Sequence, residues 1–256
     1  MLCDLDGVIW LSGEPIPGSV SAVSMLRDAG HRVLFVTNSS WPRLAEHEAA
    51  LAAIGIDADG DVVSSPTAAA TLVRVGERVL VCGGPGIVEA VERVGAIPVA
   101  GDDDEGVATG VDAVIVGLHR EFDYHRLTLA TTAVRSGARF VATNTDPLYP
   151  TPTGPVPGGG SIVAAVATAS GRQPAIAGKP FGPMAAAVRR LVGDTAELIM
   201  VGDMLSTDGQ FAVELGCRFA LVRTGNTSPG DRVDFPRAFD LPNLAAVAEV
   251  IVTEHS

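Results

Sequence analysis

Two carboxylates stand one residue apart near the start of the chain, in Asp4-Leu5-Asp6-Gly7, directly after the apolar residues Met1 to Cys3. If the backbone turns between them they can divide labour. One can attack phosphorus, and the other can protonate the leaving oxygen and later deprotonate water. Gly7 suits such a turn and lets the backbone approach a phosphate closely. Two more carboxylates, Asp203 and Asp208, follow the apolar run Leu198 to Val201. Converging on one place they would repel, by roughly 4 kcal/mol for a pair about 4 Å apart at an effective dielectric of 20. A divalent cation is therefore required. Oxygen-only ligands beside a phosphate suit Mg²⁺, which would also orient nucleophile and phosphoryl group.

The positive groups are as informative as the negative ones. The chain has eighteen basic residues, and Lys179, in Gly178-Lys179-Pro180, is the sole lysine among seventeen arginines. Such usage points to a place where a compact ammonium is needed and a planar guanidinium would not fit. After the apolar run Val33 to Val36 comes Thr37-Asn38-Ser39-Ser40, whose hydroxyl and backbone N–H groups can bind phosphoryl oxygens at the start of the next helix. The same four residues also read as a cap for a helix beginning near Arg43, and Asp4 and Asp6 taken alone as ordinary turn formers.

These residues need a scaffold. Short β-branched runs recur at Val33–Val36, Val79–Val81, Ala113–Val116, Phe140–Ala142, Leu198–Val201 and Phe219–Val222, and they read as buried strands. Helical spacing lies between them, as in Val20, Val23, Leu26 and Ala29, with Gly30 placed to end that helix. The alternation predicts an α/β fold with parallel strands, whose ligands bind beyond the carboxyl ends of the strands. Between the second polar cluster and Lys179 lie 138 residues with elements of their own, too many for a loop. They are expected to form an inserted α/β domain over 70–177, with the core built from 1–69 and 178–256. Pro147 to Gly160 reads as a shaped loop, and Asp102-Asp103-Asp104-Glu105 as a solvated turn. Gly84-Pro85-Gly86 has part of a dinucleotide fingerprint, but Glu89 occupies the third glycine's place.

Composition narrows the partners. With 47% hydrophobic residues the chain can bury a large core, and a formal charge of -12 argues against nucleic acid and anionic membranes. Three dispersed cysteines suggest neither disulfides nor zinc, and no apolar stretch is long enough to span a bilayer. The expectation is a cytoplasmic protein acting on a small molecule.

In order along the chain, Asp4-Leu5-Asp6-Gly7-Val8, Thr37-Asn38, Gly178-Lys179-Pro180 and Gly202-Asp203 through Thr207-Asp208 resemble the four motifs of the haloacid dehalogenase-like (HAD) hydrolases. The placement of the insert, with Thr143-Asn144-Thr145-Asp146 leading to Pro157-Gly158-Gly159-Gly160, is similar to the group containing NagD and the 4-nitrophenyl phosphatases. The resemblance implies a Rossmann-like core with an inserted cap. It further implies Asp4 as nucleophile, Asp6 as general acid and base, and Thr37, Asn38 and Lys179 at the phosphate. Mg²⁺ would be held by Asp4, the Asp6 carbonyl and Asp203, with Asp208 just outside its ligands and Asn144 and Asp146 facing the substrate from the cap. Relatives often dimerise through the cap. Met204-Leu205-Ser206 departs from the family, which often has an arginine and an acidic residue there. The expected activity is hydrolysis of a small phosphorylated metabolite through an aspartyl-phosphate. The alternatives are a phosphomutase using the same intermediate and a non-catalytic phosphometabolite-binding protein.

Overall fold

A computed structural model of the chain describes residues 1–11, 13–100, 110–149, 154–193 and 197–254. It divides into two compact units, Met1–Thr37 with Ala45–Val63 and Lys179–Ser256, and Asn38–Leu44 with Ser64–Gly178. The run Asp102 to Glu105 lies outside the described residues.

The first unit is built on a six-stranded sheet in the order Phe239–Leu241, Arg218–Val222, Ile199–Gly202, Leu2–Cys3, Leu34–Thr37, Val62–Ser64. Its recorded pairs are parallel. Leu2–Cys3 is only two residues long, yet it is central and fully buried. Its pairing continues at both ends, because Leu34 N–H donates to the Met1 carbonyl and Asp4 N–H to the Val201 carbonyl. In register Leu2 lies beside Met200 and Leu34, and Cys3 beside Val201 and Phe35. Asp4 therefore falls level with Gly202 and Val36, and Asp203 and Thr37 each come one residue later. The α-helices Ser19–Asp28 and Leu244–Glu254 pack together, the first burying Ala22, Val23 and Leu26 on one stripe.

The second unit has a five-stranded parallel sheet in the order Ala175–Ile176, Arg139–Ala142, Ala113–Val116, Arg78–Cys82, Ile97–Ala100. Helices Tyr124–Arg135 and Gly159–Ser170 pack against each other, and with the sheet they enclose a core of Leu80, Val114, Val116, Leu129, Phe140, Val163 and Val166. The sheets and their parallel strands make this a Rossmann-like α/β protein.

Every internal strand of the two sheets is signalled by an apolar run, Leu2–Cys3 by Met1 to Cys3. The four that are not, Val62–Ser64, Ile97–Ala100, Ala175–Ile176 and Phe239–Leu241, are the four edge strands. Edge strands are short and tolerate residues such as Pro98 and Asp240 that a central strand excludes. The segment 147–160 is not simply a loop: Leu148–Tyr149 pairs antiparallel with Val156–Pro157, and a helix begins at Gly159. The helix expected near Arg43 begins at Leu44, and its first N–H donates to the Glu89 carboxylate at 2.8 Å. The residue that spoils the dinucleotide fingerprint thus closes another helix's N-terminus. No helix among the described residues is long and apolar enough to cross a membrane.

Candidate active site

The carboxyl edge of the six-stranded sheet collects the charged groups. Asp4 follows Leu2–Cys3, Asp203 follows Ile199–Gly202, and Thr37 ends its own strand, 2% exposed. After Asp4 the chain turns tightly: the Leu5 carbonyl accepts from the N–H groups of Val8, Ile9 and Trp10. Gly7 makes the turn at φ +84°, and a Cβ there would come within 2.6 Å of the Asp203 carboxylate. No other residue combines that conformation with that approach. The two acids have different partners, Lys179 at Asp4 and the Trp10 indole at Asp6.

Lys179 is 2% exposed and bridges two carboxylates, with Nζ 2.8 Å from Asp4 Oδ1 and 2.7 Å from Asp208 Oδ1. Asp208 is completely buried in the π-helical turn Leu205–Gly209, and its Oδ2 accepts from Met204 N–H at 3.2 Å. Asp4 Oδ1 also accepts from Leu5 N–H at 2.8 Å. Burial pulls the Lys179 ammonium toward the neutral form, but Asp208 and Asp4 outweigh it and hold the pKa above its ordinary value. Burial drives the Asp4 carboxyl well above the usual carboxylate range; Lys179 opposes this, and Asp208 and Asp203 add to it. Asp6 is also raised by burial, against the hydrogen bond that its Oδ1 accepts from Trp10 Nε1–H at 3.1 Å and the charge of Lys179.

Asp203 is held in a way the sequence did not disclose. Its Oδ2 accepts from both the backbone N–H and the side-chain amide of Asn226, the latter at 2.8 Å. Thr227 Oγ1 donates to the Asp203 carbonyl, and Thr224 Oγ1 to the Gly7 carbonyl, each at 2.5 Å. A Cβ on Gly225 would collide with the same carboxylate. These four residues follow the strand Arg218–Val222, at the sheet edge where α/β folds hold their ligands, but they carry no charge and so give no signal in the sequence.

The other sequence-selected residues lie in the second unit, close to one another. Asn38 Nδ2 donates to Asp146 Oδ2 at 3.0 Å, and Asn144 Nδ2 to the Asn38 carbonyl at 2.7 Å. Trp41 packs against Gly84 on one side and lies under the Arg120 guanidinium, 4.8 Å from its ring centre. It borders a cavity of about 310 Å³ whose lining contains none of the acidic cluster.

The residues present fit a hard divalent cation. One oxygen from each of Asp4, Asp203 and Asp208 lies within 4.8 Å of the others. At that separation each pair of like charges repels by at least about 3.5 kcal/mol at an effective dielectric of 20. Three carboxylates against one ammonium leave a net charge of about -2, which a single Mg²⁺ cancels. Asp203 Oδ1 is the telling atom, because it is buried and has no hydrogen-bond partner while its sister oxygen has two donors. A buried carboxylate oxygen left so is costly unless a cation takes it.

A Rossmann-like sheet with an acid cluster and a buried lysine at its carboxyl edge is suited to metal-assisted phosphoryl transfer. Comparison with known proteins agrees. The family profile described as haloacid dehalogenase-like hydrolase matches residues 1–97, and one described as HAD-hydrolase-like matches residues 176–247. The D-glycerol 3-phosphate phosphatase of Mycobacterium tuberculosis is 39% identical over 239 residues, which span 91% of this chain and 65% of that protein. The crystal structure of a glycerol phosphate phosphatase from Mycobacterium tuberculosis in complex with magnesium superposes with a TM-score of 0.85 at 35% identity, over 96% of this chain and 75% of that one. The p-nitrophenyl phosphatase from Archaeoglobus fulgidus superposes with a TM-score of 0.88 at 26% identity, over 97% of both chains. The chain belongs to the haloacid dehalogenase-like hydrolases, in the group of NagD and the nitrophenyl phosphatases.

Proposed function

We propose that the protein is a Mg²⁺-dependent phosphomonoester hydrolase working through an aspartyl-phosphate on Asp4. The observation that carries this is the buried Lys179 ammonium shared by Asp4 and Asp208, with Asp203 in the same cluster. Both hydrogen bonds to the Asp4 carboxylate fall on Oδ1, which leaves Oδ2 to attack phosphorus as the bond to the leaving oxygen breaks. Asp6, kept protonated to higher pH by burial, gives its proton to that oxygen. It then takes a proton from a water whose oxygen attacks phosphorus, and the bond to Asp4 breaks to release inorganic phosphate. Thr37 and Lys179 bind phosphoryl oxygens, while Asp208 keeps Lys179 charged and in place. Asp4, the Asp6 carbonyl and Asp203 would hold Mg²⁺, which when bound neutralises the carboxylates and lets Asp4 react as an anion.

The demand on the site is large, since acceleration of monoester hydrolysis can approach ~10²¹-fold. Fixed charges and positioning must supply most of it. Substrate choice is assigned to the insert, 70–177. Glycerol phosphate, phosphoglycolate, sugar phosphates, nucleotides and pyridoxal phosphate form the panel to test. Phosphate release from that panel and from 4-nitrophenyl phosphate, with Mg²⁺ and with a chelator, is the direct experiment. Metal-dependent turnover and an acid-stable phosphoryl group on Asp4 after quenching are expected. Failure of the whole panel to turn over with Mg²⁺ would refute the reading.

A further inference from the structure

The tetrapeptide Thr143-Asn144-Thr145-Asp146 stands at the end of the strand Arg139–Ala142, and it makes hydrogen bonds to two places that matter elsewhere in the chain. One is Asn38, the residue after Thr37. Asn38 Nδ2 donates to Asp146 Oδ2 at 3.0 Å, and the Asn38 carbonyl accepts from Asn144 Nδ2 at 2.7 Å and from Ser65 Oγ at 2.8 Å. Both lone pairs of that carbonyl are engaged, so the Asn38–Ser39 peptide is fixed in orientation. The other place is Gly178, the residue before Lys179, whose N–H donates to the Thr143 carbonyl at 2.7 Å. There is no slack between the two: a Cβ on Gly178 would lie 2.6 Å from Asn38 Oδ1 and would also strike the Thr143 carbonyl. Asn144 Oδ1 accepts from Asp146 N–H at 3.1 Å, which braces the tetrapeptide itself, and Asn144 is 4% exposed.

We infer that Thr143–Asp146 is a clamp that positions both phosphate-binding residues, gripping the chain immediately after Thr37 and immediately before Lys179. Asn38, Asn144 and Asp146 are then positioning residues, acting on the reaction through their neighbours. The inference rests on the proposed roles of Thr37 and Lys179. Its weight comes from how sharply rate depends on placement, since a displacement of about 1 Å can cost on the order of 10²-fold.

An exchange of donor and acceptor tests the clamp. N38D sets two carboxylates face to face where a hydrogen bond stood, and N38D/D146N restores the bond with its direction reversed. For N38D, kcat on 4-nitrophenyl phosphate should fall at least about tenfold. Inorganic phosphate, titrated calorimetrically with Mg²⁺ present, should bind correspondingly weaker. The double variant should return to within about threefold of the original on both measures. G178A removes no polar group and should reproduce the loss. Melting temperatures separate positioning from folding: a change in melting temperature with kcat within twofold throughout would overturn the clamp, as would an unrescued double variant. A parent protein that neither hydrolyses 4-nitrophenyl phosphate nor binds phosphate would refute the phosphatase reading and leave the clamp nothing to position. An active parent with an indifferent N38D would refute the clamp alone.

Discussion

The two parallel sheets of this chain place different chemistry just beyond the carboxyl ends of their strands. In the six-stranded sheet Thr37 ends one strand while Asp4 and Asp203 follow two others; in the five-stranded sheet Gly83, Gly117 and Thr143 follow three of the strands. Each sheet also leaves one buried oxygen at a strand end without a hydrogen-bond partner, Asp203 Oδ1 in the first and Thr143 Oγ1 in the second. The two orphans mean different things. A hydroxyl without a partner is a modest cost that a fold can carry. A carboxylate oxygen beside two further carboxylates is an electrostatic demand that a metal meets. Similar architecture thus yields a reactive edge or an inert one according to the residues set at the strand ends.

The comparison breaks most violently at Asp4. Asp4→Asn keeps the shape and removes the nucleophile, so turnover should fall by about 10⁴-fold or more, as loss of a nucleophile does elsewhere. Circular dichroism should show the fold unchanged. Activity within tenfold of the original would show that the reactive edge works without this carboxylate.

Lys179 comes next, because among the described residues it is the cation paired with the cluster. Lys179→Met leaves Asp4 and Asp208 facing each other unpaired, and removing one partner from a buried ion pair costs about 3–5 kcal/mol. Lys179→Arg keeps the charge but must fit a planar fork between two carboxylates only 2.8 and 2.7 Å from the present nitrogen. Denaturant titration and turnover should both record losses for each variant. A fully active Arg variant would mean that the single lysine is an accident of composition.

The metal demand has a pH signature. Burial, with Asp208 adding to it and Asn226 opposing, raises Asp203 from 3.8 to about 6. Between those values the native state holds the proton longer than the unfolded chain does, so metal-free stability should fall as pH rises through that window. The change is about 3 kcal/mol for Asp203 alone, and the raised Asp4 and Asp6 act in the same direction. Mg²⁺ should cancel the slope by binding the charged form. Melting scans at pH 4, 5 and 6.5 with Mg²⁺ or a chelator decide it, and a metal-free slope of the opposite sign would count against the carboxylate cluster as drawn. A smaller effect belongs to Asn226→Ala, which removes a donor from Asp203 Oδ2 and should weaken Mg²⁺ by about 10- to 100-fold.

Charge made the site legible in the sequence, and its absence hid the rest. Asp4, Asp6, Lys179 and Asp203 announce themselves because ionisable groups after apolar runs are expensive to place without a purpose. Asn226, Thr224 and Thr227 are equally close to the chemistry, but amides and hydroxyls after a strand are also the commonest turn residues. Asn38 shows a subtler limit. Its side-chain amide donates to a residue 108 positions away, a partner no local pattern encodes. In the fold the same division holds, with buried central strands legible as apolar runs and the short edge strands not.

Thr143→Val is the mildest test and the one that isolates the contrast between the two orphan oxygens. Thr143 is fully buried, its hydroxyl has no partner, and its known tie to Gly178 runs through the backbone carbonyl, which valine retains. Valine has nearly the same shape, so the substitution trades an unsatisfied hydroxyl for a methyl in place. Stability should rise by up to about 1 kcal/mol, with turnover and Mg²⁺ affinity unchanged within twofold. The matching change on the other sheet, Asp203→Asn, should abolish Mg²⁺ binding. A Thr143→Val protein that loses metal affinity or activity would show that the second sheet's strand ends are not inert, and the distinction drawn between the two edges would fail.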